Sequence, residues 1–92
     1  MMKYSIGEKK YTVGIIGGMG PEATIDFMSR VIALTPSQRD QDHIRMVVEN
    51  NPHIPDRQST AENDLIAIEL TAIAERLEVA GADFLVLPCN TA

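Results

Sequence analysis

The stretch "YTVGIIGGMGPEAT", residues 11–24, decides the architecture. Residues 11–16 form a short apolar, β-rich run that ends in glycines, the pattern of a buried strand. Gly17, Gly18 and Gly20 then supply a turn, and Pro21 suits the first helical position, where a missing N–H costs nothing. Gly18, Gly20 and Ala23 satisfy G-x-G-x-x-A between a strand and a helix. Such glycines let the backbone approach a ligand, and the N–H groups at a helix start attract an anion. A pyrophosphate and a carboxylate serve equally well, and a tight turn with no ligand is the plain alternative. The dinucleotide version needs an acid at the end of the second strand, about 20 residues on. Asp40 and Asp42 have the distance but precede that strand, and Glu49 lies near its end but late.

Working outward, the spacing predicts a helix over residues 21–34. Thr24, Phe27, Met28, Val31 and Ile32 share one face, and Glu22, Asp26 and Arg30 make an i,i+4 ladder on another. Pro36 breaks it. Residues 44–50, "IRMVVEN", read as a second strand and 51–58, "NPHIPDRQ", as a loop. Ser59 and Glu62 have capping-box spacing, Ile66, Leu70, Ile73 and Leu77 form one stripe, and Gly81 sits where a C′ glycine belongs. "DFLVLP", 83–88, is a third strand, apolar on both faces as a central parallel strand must be. This alternation specifies βαβαβ with a parallel sheet, an α/β fold in three layers. Residues 1–10 are an extension or an edge hairpin, and 11–92 are the domain. Asn90 and Thr91 are good N-cap residues with no helix after them, so we expect a domain incomplete at its C-terminus, the first part of a larger α/β protein.

Composition narrows the partners. The 92 residues carry a net charge of −5 and no Lys/Arg cluster, which argues against nucleic acid and anionic membranes as partners. A single cysteine, Cys89, cannot form an internal disulfide and fits a reducing compartment. No signal-peptide h-region or membrane-spanning run is visible, so we expect a soluble cytoplasmic protein. His43 and His53 lack metal-ligand spacing, and no metal site is expected.

"LPCNTA", 87–92, puts Cys89 at the carboxyl end of a parallel strand, where open α/β sheets bind ligands. A following helix would favour its thiolate. Asn90 and Thr91 offer donors for a carboxylate. A small buried thiol with a helix cap after it is the competing reading. "NNPHIPDR", 50–57, is a third loop at the same edge, where Arg57 can clamp a carboxylate or can simply pair with Asp56 in a solvated turn.

"GIIGGMGPEAT", "RDQDHI…NNPHIPDR" and "AGADFLVLPCNTA" together resemble the aspartate/glutamate racemase family, its aspartate racemases in particular, over residues 14–92. The resemblance implies an amino-acid racemase that uses no pyridoxal phosphate or other cofactor. It further implies two similar α/β domains with the substrate between them, a homodimer at full length, and aspartate or glutamate as substrate. Each domain brings one cysteine, one thiolate removing the α-proton while the opposite thiol delivers another. By position, Cys89 matches the first catalytic cysteine. Asn90 and Thr91 match the residues that hold the substrate carboxylate, and Gly18, Met19 and Gly20 match the turn lining the site. Asn50 and Asn51 match the strand-end asparagines, and Arg57 matches an arginine that grips a carboxylate. The family's second cysteine has no counterpart in these 92 residues, so the chain by itself is expected to be inactive.

Overall fold

A computed structural model of the chain describes residues 10–55 and 60–89. The elements follow in the order β1 (Thr12–Gly17), α1 (Pro21–Leu34), β2 (Arg45–Asn50), α2 (Thr60–Val79) and β3 (Phe84–Val86), with one 3₁₀ turn, Asp40–Asp42, before β2. The three strands pair in parallel in the order β2-β1-β3. The fold is α/β, as the alternation of elements predicted. The expected extension or hairpin before residue 10, and the Ser59 capping box, lie outside the described residues.

The two helices cover opposite faces of β1. Side chains alternate along a strand, and Ile16 of β1 and Val47 of β2 pack with Ile66, Ile73 and Leu77 of α2. Gly17 points the other way, where a side chain would run into Thr24 of α1. Helix, sheet and helix therefore make three layers, with β1 buried along its whole length.

The predicted stripe of α2 holds. Ile66, Ile73 and Leu77 are buried and Leu70 is partly so, because each recurs on the side facing the sheet. The helix ends in a Schellman motif: the N–H of Ala82 donates to the Leu77 carbonyl and that of Gly81 to the Glu78 carbonyl, each at 3.0 Å. Gly81 takes the positive φ of 106° that this motif requires. Asp83 then fastens β3 to β1. Its N–H donates to the Thr12 carbonyl at 2.8 Å, and its Oδ2 accepts from the Thr12 N–H at 2.7 Å.

Two expectations need correction. The third strand is not the central one. With β1 between its partners, β3 is the edge of the described sheet, and Phe84, Leu85 and Leu87 are each more than a third exposed. Its two-sided apolar pattern is real, but among the described residues β3 has a neighbour on one side only. The predicted face of α1 is not buried along its length either: Thr24 is buried, Phe27, Met28 and Val31 are partly so and Ile32 is half-exposed, because that helix rests on β1 through its first turns, where Ala23 and Thr24 are buried. The ladder on its outer face includes an Arg30–Asp26 ion pair at 2.8 Å. Among the described residues no helix is long and apolar enough to cross a membrane.

Candidate active site

Parallel strands present their carboxyl ends along one edge, and ligands of open α/β sheets bind outside that edge. The last β1–β2 pair joins Gly17 to Asn50. Beyond it the Asn51 N–H continues the ladder onto the Gly17 carbonyl at 2.8 Å. On the other side the last β1–β3 pair joins Ile15 to Val86, and Gly18 and Cys89 each follow three residues later. By chain position Asn51, Gly18 and Cys89 therefore stand in one row across the sheet edge.

The turn after β1 is held tightly. Gly18 has φ of 109°, and a Cβ placed on it would lie 2.3 Å from the Asn51 carbonyl oxygen. The glycine turn and the loop after β2 are thus in direct backbone contact. Gly18 is buried, and its N–H donates to Oγ1 of Thr24 at 3.0 Å. The Gly18 N–H is therefore taken within the protein. Met19 packs its side chain against the core cluster of Ile16, Ile54, Ile66, Ile73 and Leu77, which leaves its backbone as the part available at the edge. Gly20 caps α1 with extended backbone, φ −96°, and no side-chain cap bond.

Asn50 is exposed at the end of β2. Asn51 folds back, its Oδ1 accepting from the His53 N–H at 2.9 Å, so its amide nitrogen is the donor left for a ligand. Cys89 is half-buried after β3. Arg57, Asn90 and Thr91 lie outside the described residues.

Glu49 has another role than the one a dinucleotide would give it. Both of its oxygens are engaged by Arg76 of α2, Oε1 by Nε at 2.8 Å and Oε2 by a terminal nitrogen at 2.6 Å. The hydrogen bond from Arg76 holds the Glu49 carboxyl below its ordinary pKa, against a smaller desolvation effect, and Arg76 is raised in return. Asp42 bonds the Gln38 N–H and pairs with Arg39, before β2 and at the opposite end of the sheet. Of the acids that fitted a ribose contact only in part, Glu49 and Asp42 are thus engaged with protein groups. Sequence reading missed two residues here. Thr24 was counted as part of a helix face, and Arg76 is 27 residues from its partner, a separation at which no local pattern reveals a pair.

The model of the Asp/Glu/hydantoin racemase family matches residues 16–92. The broad specificity amino-acid racemase RacX of Bacillus subtilis (strain 168) is 35% identical over 86 residues, which cover 87% of this chain and 37% of that protein. Among solved structures, Picrophilus torridus aspartate racemase superposes with a TM-score of 0.74 at 37% identity, covering 86% of this chain and 55% of that one. The chain spans little more than half of the solved relative and less than half of the curated one. With the motifs at the sheet edge and a family match over most of its length, the chain belongs to the Asp/Glu/hydantoin racemase family.

Proposed function

We propose that this chain forms the first half of the active site of a racemase that uses no pyridoxal phosphate and interconverts L- and D-aspartate, or glutamate. Cys89 is the acid/base group on one face of the substrate α-carbon. As thiolate it takes the α-proton, the electron pair stays on the carbon as a carbanion, and a thiol on the opposite face gives back a proton. After one turnover the two sulfurs have exchanged roles. The weak acidity of the α-C–H makes fixed donors around the α-carboxylate the main stabilising element. In this reading Gly18, Met19 and Gly20 line that site, Asn50, Asn51, Asn90 and Thr91 supply donors, and Arg57 grips a carboxylate. The 92 residues hold one cysteine, so the second thiol comes from outside them, in a further domain or a second copy.

The observation that carries the reading is the common edge: the glycine turn, the Asn50-Asn51 strand end and Cys89 follow three adjacent parallel strands. The test incubates the protein with L-aspartate in D₂O without pyridoxal phosphate and follows α-deuterium and optical rotation together. Cys89-dependent deuterium uptake supports the reading, and concurrent loss of rotation means that both thiols are present. Aspartate binding without exchange assigns the second thiol to a missing partner. Exchange that persists in Cys89→Ala, or no binding of aspartate or glutamate at all, refutes it.

A further inference from the structure

We propose that Thr24 is a positioning residue that sets the substrate-binding turn through its hydroxyl; this rests on the racemase reading of the same edge. Thr24 is 3% exposed and lies four residues into the chain beyond the turn it serves. A threonine inside a helix ordinarily donates to the carbonyl four residues back. Here that contact, to Gly20, is long at 3.5 Å, while the hydroxyl oxygen accepts the buried Gly18 N–H at 3.0 Å. One side chain therefore touches both ends of the three-residue turn.

The side chain has little freedom to do otherwise. A Cβ built on Gly17 would lie 2.7 Å from both Cγ2 and Oγ1 of Thr24, so the residue sits directly on the strand end. Gly18 is pressed against the Asn51 backbone on its other side. The Gly18–Thr24 bond is buried, and a buried N–H left without a partner is costly. The same bond has a consequence for recognition. With its amide taken, Gly18 contributes conformation and close approach, and the N–H donors for a carboxylate come from later in the turn and from the first turn of α1.

The test compares Thr24→Val, which keeps the shape and loses the hydroxyl, with Thr24→Ser, which keeps the hydroxyl and loses the methyl. Amide exchange of Gly18 is read by NMR against Ile15 and Ile16 of β1, alongside the dissociation constant for aspartate. In Thr24→Val the Gly18 amide should exchange about tenfold faster relative to the β1 amides, the factor expected for one lost hydrogen bond. Aspartate affinity should weaken by a similar factor, and Thr24→Ser should restore both to near wild type. If valine leaves Gly18 protected, or serine does as much harm as valine, Thr24 is packing alone and the proposal fails. A wild-type chain that takes up no aspartate counts against the racemase reading, while Gly18 exchange still decides whether Thr24 sets the turn.

Discussion

Replacing Gly18 by alanine should be far more damaging than replacing Gly20 two residues later, although the G-x-G pattern treats the two alike. Three glycines separate the contributions. Gly20 has extended backbone and an alanine Cβ would meet only the Glu22 carboxylate at 3.5 Å, so Gly20→Ala should change stability by less than about 1 kcal/mol. Gly81 has φ of 106° but open space around it, with Arg45 at 3.7 Å, so Gly81→Ala reports the backbone strain alone, roughly 1–2 kcal/mol. Gly18 has nearly the same φ, 109°, and adds a collision at 2.3 Å with the Asn51 carbonyl oxygen. Relief requires moving Asn51, whose N–H is bonded to Gly17, and overpacking of this kind costs about 1–3 kcal/mol more. Gly18→Ala should therefore lose roughly 2–5 kcal/mol, a large part of the stability of a small domain. Urea unfolding of the three variants, with the slope checked for constancy, measures the series. Aspartate binding should fall in Gly18→Ala and not in Gly81→Ala. Equal losses at positions 18 and 81 would refute the claim that the two loops interlock at Gly18.

The remaining predictions concern the core, the ion pair and the thiol. Ile73 has no exposed surface, so Ile73→Ala should cost about 2–5 kcal/mol in urea unfolding, whereas Ile25→Ala, at a position 65% exposed, should stay within about 0.5 kcal/mol. Glu49 is held below its ordinary pKa by Arg76, so its contribution is complete above the ordinary carboxylate range of the unfolded chain and is lost as pH falls through the lower folded value. Glu49→Gln should flatten that part of the acid limb in a pH series of thermal melts, and added salt should shrink the difference because the pair is partly exposed. Where the wild-type protein, completed by the second thiol, exchanges α-deuterium into aspartate, Cys89→Ala should lower that exchange by at least about 100-fold with the urea midpoint near wild type, and residual exchange above a tenth would argue for another base.

Local chemistry in the sequence determined a good deal here. Pro21 and the glycines before it set where α1 begins, the spacing of Ile66, Leu70, Ile73 and Leu77 set which side of α2 is buried, and Gly81 set how that helix ends. These follow from backbone and periodicity rules that act within a few residues. The carboxyl-end placement of the glycine turn, the asparagines and Cys89 also followed, since alternating strands and helices force a parallel sheet. What only the tertiary structure decided involves neighbours far apart in the chain. Within the described residues, strand order made β1 the centre and left β3 with one neighbour, because an apolar run reads the same wherever it lies in a sheet. Gly18 and Gly20 are alike in the motif, yet only the first meets Asn51. The Glu49–Arg76 pair and the core packing of Met19 likewise depend on which surfaces α2 brings to the strand ends, and no pattern within a few residues of either contains that information.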